Sequence, residues 1–192
     1  MRVHTVSVRI TGGEHRGRRL GAPTVRGLRP TTEVARSAVF SILGQGALGG
    51  TRVLDAYAGT GMLGIESLSR GAAWVDFVES DRRLAQTIRE NLRSLDMSDR
   101  AQVHGFRVER AIGRLPGGYD LVFADPPYGM RNWTDLLSRL AEATVINEGG
   151  ILVAEHRYTT DLEEAYGRLA VMTRRRFGQT SLTFYQAGAV DG

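Results

Sequence analysis

The chain has 192 residues, enough for one compact domain with a short appendage and too few for two full domains. With 42% hydrophobic and 24% charged residues it is an ordinary globular sequence, and with no cysteine and four scattered histidines it offers neither disulfides, thiolate metal sites nor a zinc spacing. No apolar run approaches the roughly 18 residues that span a bilayer, and Met1-Arg2-Val3-His4 leads into no signal-peptide core, so the protein should be cytoplasmic; separately, a monomer without a metal is expected.

The net charge of +4 is unevenly spread. Residues 1–36 hold eight arginines (Arg2, Arg9, Arg16, Arg18, Arg19, Arg26, Arg29, Arg36) against Glu14 and Glu33, an excess of six, so the remainder is slightly acidic. All 25 basic residues are arginine, a bias that genome composition alone can produce. Their clustering is more informative. A basic arm on an acidic body has the form of an electrostatic footprint for phosphates, although a solvated basic tail has the same composition.

In chain order, Val6-Ser7-Val8-Arg9-Ile10 alternates apolar and polar, Gly12-Gly13 interrupts it, and Arg16-Gly17-Arg18-Arg19-Leu20 resumes it, which predicts a small basic hairpin. Arg29-Pro30-Thr31-Thr32 marks a helix start, with Val34, Ala38 and Ile42 at helical spacing behind it, and residues 44–50 form a loop. From residue 51 strands and helices alternate. Strands are expected at 52–56, 74–79, 101–105, 119–124 and 151–155, and helices at 62–70, 82–95 and 133–143. Two closing strands, 169–177 and 180–186, turn at Gly178. The pattern implies an α/β protein with a mostly parallel seven-stranded sheet, helices on both faces and an antiparallel pair at one edge. Residues 1–32 would be the basic arm and 33–192 the catalytic domain.

In open α/β sheets ligands bind beyond the carboxyl ends of the strands. After the first of these strands comes Asp55-Ala56-Tyr57-Ala58-Gly59-Thr60-Gly61-Met62-Leu63-Gly64, a glycine turn opening a helix whose free amides suit an anion. The next strand ends at Glu79, placed to accept hydrogen bonds from ribose hydroxyls. This outlines a nucleoside site. Gly59-x-Gly61-x-x-Gly64 also fits the dinucleotide fingerprint of dehydrogenases, but Asp55 suits the ammonium of a methionine moiety and repels a pyrophosphate, unless it is simply a turn residue.

The fourth strand runs into Asp125-Pro126-Pro127-Tyr128. Two prolines stiffen the backbone and remove two amide donors, leaving carbonyls to accept. The Asp125 carboxylate and the Pro126 carbonyl would take the two hydrogens of an sp² amino group and aim its lone pair at a methyl carbon, while Tyr128 stacks on the base. A proline-rich loop with a satisfied aspartate is the plainer alternative; such a loop has no evident use in hydride transfer.

The glycine loop and Asp125-Pro126-Pro127-Tyr128 together resemble class I methyltransferases acting on exocyclic nitrogens. Arg9-Ile10-Thr11-Gly12-Gly13 with Arg16-Gly17-Arg18-Arg19-Leu20, then Arg29-Pro30-Thr31-Thr32 and Phe77-Val78-Glu79-Ser80-Asp81, narrow the resemblance to the RsmD family, methyltransferases of guanine N2 in small-subunit ribosomal RNA. The resemblance implies a Rossmann-like class I fold, S-adenosylmethionine as cofactor, and guanine-966-type 16S rRNA, as part of a small-subunit particle, as substrate. It implies cofactor contacts at Asp55, Tyr57, Gly59, Gly61, Glu79, Ser80 and Phe106. It also implies catalytic roles for Asp125, Pro126, Pro127 and Tyr128, and RNA contacts at Arg16, Arg18, Arg19, Arg29, Thr31, Thr32 and Arg36. Two positions depart from the family pattern: Ser37 stands where an acidic residue follows the arginine, and the third strand ends in Gly105-Phe106 without an acid. Adenine-N6 methylation uses the same four-residue motif; a nicotinamide dehydrogenase and a non-catalytic RNA-binding module are the readings from other classes.

Overall fold

The computed structural model describes residues 5–23, 33–127, 129–130, 132–142 and 145–189. The first two strands, β1 (Thr5–Arg9) and β2 (Arg19–Pro23), pair antiparallel as a separate hairpin. Helix α1 (Glu33–Leu43) follows. Then come β3 (Arg52–Asp55), α2 (Met62–Ser69), β4 (Trp74–Val78), α3 (Arg82–Ser94), β5 (Ala101–His104), the single-turn helix α4 (Val108–Ala111), β6 (Tyr119–Ala124) and α5 (Trp133–Glu142). The chain closes with β7 (Ile146–Arg157), β8 (Ala165–Tyr166), β9 (Leu169–Phe177) and β10 (Thr180–Ala187).

The main sheet has the order β5-β4-β3-β6-β7-β10-β9-β8. Its first five strands are parallel and the last three antiparallel to their neighbours. The sheet therefore has eight strands where the sequence predicts seven. The additional one, Ala165–Tyr166, is two residues long and shows no alternation to read; it is held by pairing with Leu169 and Ala170.

Alternate residues of each strand face opposite layers. Val53, Val75, Phe77 and Phe123 meet α1, α2, α3 and the hairpin's Ile10 and Leu20 in one core. Leu54, Val78, Val122 and Leu152 meet α4 and α5 in the other. Helix α3 shows why such elements form. Asp81 caps it, accepting from Arg83 N at 2.7 Å and Leu84 N at 3.1 Å, and the apolar stripe Leu84, Ile88, Leu92 is buried. Each of these side chains contributes about 1.5–3 kcal/mol by leaving water.

Helix α1 presents a different face from the one the sequence suggests. Val34 is 68% exposed, whereas Ala35, Arg36, Val39 and Phe40 are buried. The cause is a buried charge cluster. Glu66 on α2 accepts from Arg36 Nε at 2.8 Å, from Arg70 at 2.7 Å and from the Thr11 hydroxyl, and Arg36 also donates to the Arg9 carbonyl at 2.6 Å. One carboxylate thus ties the hairpin, α1 and α2 together. This corrects the expectation that Arg36 faces RNA: it is fully buried and committed to Glu66.

A second buried carboxylate fastens the sheet. Asp76 on β4 accepts from Arg52 at 3.0 Å, and from Trp74 Nε1, His104 Nε2 and the Tyr119 hydroxyl at 2.8 Å each, so β3, β4, β5 and β6 converge on it. Among the described residues no helix is long and apolar enough to cross a membrane.

Candidate active site

The carboxyl ends of β3, β4 and β6 bring the two sequence motifs together. Strand β3 pairs with β6 through Asp55 opposite Phe123, and Ala56 N donates to Phe123 O at 3.0 Å. The glycine loop therefore leaves the sheet beside the point from which β6 delivers Asp125, two residues beyond Phe123.

The loop is shaped by close packing. Gly61 has φ 77°, a left-handed value that glycine adopts without strain, and it opens α2. Gly64 lies against Phe77: a Cβ there would sit 2.2 Å from Cε1 of that ring, so only glycine lets α2 lie this close to β4. Gly61 N donates to Ala58 O at 2.6 Å, closing the turn.

Asp55 is 2% exposed, and its carboxylate accepts from Gly64 N at 3.0 Å. Burial pushes its pKa up to about 7, against the opposing effect of the Gly64 amide and with a contribution from the nearby charge of Glu79. The carboxyl thus both orders the loop and keeps acceptor capacity for a cation. Glu79 accepts from Gly59 N at 2.8 Å and Asp81 N at 2.7 Å; its pKa is raised, chiefly by burial, and those amides restrain the rise. Each carboxylate oxygen can accept a second bond, so hydroxyl donors remain acceptable there. The Tyr57 hydroxyl is buried without a hydrogen-bond partner among the described residues, and burial pushes its pKa up. An unpaired buried hydroxyl costs about 1–3 kcal/mol, which a polar ligand group would relieve.

Ser80 is exposed directly after Glu79. Phe106, just past β5, is 45% exposed and has the Arg114 guanidinium 5.8 Å from its ring centroid. An exposed ring at a strand end is a platform for a flat heterocycle. No acidic side chain follows β5, in keeping with the sequence.

At the end of β6, Asp125 is half-buried, Pro126 buried and Pro127 exposed. The Pro127 carbonyl accepts from Met130 N at 3.1 Å, which pins the turn, whereas the Pro126 carbonyl receives no backbone hydrogen bond among the described residues. Tyr128 lies outside the described residues, as do Arg29, Thr31 and Thr32. Behind the corner the His156 ring meets Trp133 edge-on at 6.0 Å and hydrogen-bonds Thr183 Oγ1 at 2.9 Å; burial lowers its pKa, keeping it neutral.

The hairpin arginines stand elsewhere. Glu14 N donates to Ser69 O at the end of α2, the Arg100 guanidinium pairs with Glu14 at 3.0 Å just ahead of β5, and Arg18 donates to Ser94 O at the end of α3. These anchors all lie at the amino edge of the sheet. Arg16, Arg18 and Arg19 are exposed there, across the domain from Asp125.

The family model described as Conserved hypothetical protein 95 matches residues 8–186. The chain belongs to this family, the RsmD family. This RsmD-family chain is 35% identical over 182 residues to the Bacillus subtilis protein YlbH, provisionally assigned as an rRNA methyltransferase, covering 93% of this chain and 98% of that one. It is 29% identical over 182 residues to ribosomal RNA small subunit methyltransferase D of Escherichia coli, covering 95% of this chain and 91% of that protein. The solved structure of the Escherichia coli protein yhhF, provisionally a methyltransferase, superposes with a TM-score of 0.83 at 28% identity, covering 96% of this RsmD-family chain and 100% of that one.

The buried Arg36–Glu66 and Asp76 clusters escape sequence reasoning, because nothing local to Arg36 or Asp76 reveals partners tens of residues away. Among the described residues no group of three or more histidine, aspartate or glutamate side chains is arranged to hold a metal.

Proposed function

We propose that this chain transfers the methyl group of S-adenosylmethionine to the exocyclic N2 of a guanine in small-subunit ribosomal RNA, of the guanine-966 type. The observation that carries the reading is the adjacency of the glycine loop after β3 and the Asp125-Pro126 corner after the neighbouring β6. The names of the relatives point the same way.

S-adenosylmethionine supplies an electrophilic methyl on a sulfonium. The chain's own residues bind and orient. Asp55 receives the ammonium of the methionine moiety, Glu79 the ribose hydroxyls, and Phe106 lies along the adenine, with Tyr57, Gly59, Gly61 and Ser80 completing the enclosure. The Asp125 carboxylate and the Pro126 carbonyl each accept one N2 hydrogen, turning the nitrogen lone pair toward the methyl; Pro127 holds that carbonyl stiff, and Tyr128 stacks on the base for roughly 1–3 kcal/mol. Proximity and orientation then supply most of the acceleration. The proton released from N2 passes to Asp125.

Arg16, Arg18 and Arg19 of the arm of residues 1–32 add a phosphate foothold remote from the target base, and Arg29, Thr31 and Thr32 add further RNA contacts. The protein acts on a small-subunit particle as a monomer: among the described residues the exposed large apolar side chains, Val34, Phe106, Tyr158 and Met172, lie on separate elements.

Nucleoside mass spectrometry of ribosomal RNA from cells with and without this protein tests the reading. Loss of one N2-methylguanosine on deletion is expected. Loss of N6-methyladenosine instead would replace guanine by adenine, and an unchanged nucleoside profile would end the reading.

A further inference from the structure

The catalytic edge of the sheet has two halves. On one side of Asp125 lie the ends of β3, β4 and β5, which carry the glycine loop, Glu79 and Phe106. On the other lie β7, β10 and β9. Strands β7 and β9 run in the same direction as β6, since β10 is antiparallel to both, so the carboxyl end of β7, the end of β9 and the β9–β10 turn share the edge with Asp125.

That second half is a cationic rim. Arg157 and Tyr158 end β7, and Arg175 and Arg176 end β9; all four are exposed. Arg176 is held in place: its Nε donates to Gly178 O at 2.9 Å, and its guanidinium carbon sits 3.8 Å from the centroid of the Tyr158 ring. The Tyr158 backbone is in turn tied to the turn, donating to Gln179 O at 3.1 Å. Arg175 donates to Thr173 Oγ1 at 2.6 Å and to the Arg174 carbonyl. Among the described residues no carboxylate pairs with Arg175 or Arg176, whereas Arg174 beside them is paired with Glu164. Positive charge that is preorganised by an aromatic ring and left without a protein anion is a standing site for an external one. Adjacent strands are about 4.8 Å apart, so β9 stands roughly 14 Å from β6, within a few nucleotides of a base held at Asp125.

We infer that this rim, Arg175 and Arg176 above all, grips the phosphates flanking the target nucleotide and feeds the RNA strand to Asp125 along the half of the edge that the cofactor residues leave open. The inference rests on the RNA reading above and deepens it. The hairpin arginines, at the opposite edge, cannot serve the same stretch of strand.

The test is the salt dependence of binding to small-subunit ribosomal particles from cells lacking this protein, for the wild-type chain and for Arg175→Gln/Arg176→Gln, with S-adenosylhomocysteine affinity measured alongside. Each lost phosphate contact on single-stranded RNA lowers the slope of log affinity against log salt by about 0.7, so the double variant should lose about 1.4 in slope while cofactor affinity stays unchanged. Arg175→Lys/Arg176→Lys should keep the wild-type slope. Equal slopes for the glutamine variant and the wild type, in a wild-type protein that methylates the particles, would overturn the rim and leave the function standing. A wild-type protein that neither binds nor methylates the particles would overturn both.

Discussion

Arg36 Nε lies 2.8 Å from Glu66 Oε2, and neither side chain is more than 1% exposed. A charge pair this deep costs several kcal/mol per ion to desolvate, and the cost is met by a full set of donors: Arg70 and Thr11 complete the shell of Glu66. Arg36→Met should therefore destabilise the fold by about 3 kcal/mol or more, because Glu66 loses its fully buried cationic donor. Arg36→Met/Glu66→Met should recover most of that loss. Urea denaturation midpoints at constant slope check both, and a double variant no more stable than the single one would show that the pair itself carries net stability.

In the proposed function Asp125 accepts one hydrogen of the base amino group, a task no cofactor residue shares. Asp125→Ala should lower kcat at least about hundredfold while changing the affinity for S-adenosylhomocysteine less than threefold. Single-turnover methylation and isothermal titration separate the two. Parallel loss of both would make Asp125 a structural residue.

Asp55 gives the site a pH dependence of known sign. Its folded pKa, about 7, is raised from the ordinary aspartate value of 3.8, so the empty fold favours the neutral acid and loses this group's contribution to stability as pH rises from about 4 to about 7. Binding an ammonium reverses the preference and pulls the pKa down. Affinity for S-adenosylhomocysteine should thus be about tenfold weaker at pH 6 than on the plateau above about pH 8, with protons released on binding at pH 6. Titration calorimetry in buffers of different ionisation heat measures that release. Asp55→Asn should flatten the profile; an equally steep profile in this variant would assign the effect to another group.

Gly64 tolerates no side chain while Phe77 fills the space above it. Gly64→Ala should cost at least about 1–3 kcal/mol and weaken cofactor binding by moving the start of α2. Phe77→Leu in the Gly64→Ala background should restore part of both, as read by thermal shift with and without S-adenosylhomocysteine.

The features that sequence discloses here are those carried by neighbours in the chain. The glycine loop, Glu79 and Asp125-Pro126 are legible because α/β sheets put ligands after strands, and each of these runs directly follows an apolar strand. The inward face of α1 is not legible, because its largest buried side chain, Arg36, reads as a surface residue until Glu66 is brought to it from 30 positions away. Strand Ala165–Tyr166 is too short to show a period. The direction in which the hairpin lies is also hidden. A run of arginines announces phosphate affinity, but only the contacts of Glu14 and Arg18 with Ser69, Arg100 and Ser94 reveal which end of the domain displays it.

The convergence of four strands on Asp76 has a practical outcome for anyone dissecting this enzyme by mutagenesis. Asp76 is 2% exposed and, among the described residues, its side chain engages Arg52, Trp74, His104 and Tyr119, so it braces the strands that carry Asp55, Glu79 and Asp125 without reaching those residues itself. A screen scored on methylation alone would rank it among the reactive groups, when its office is that of a keystone.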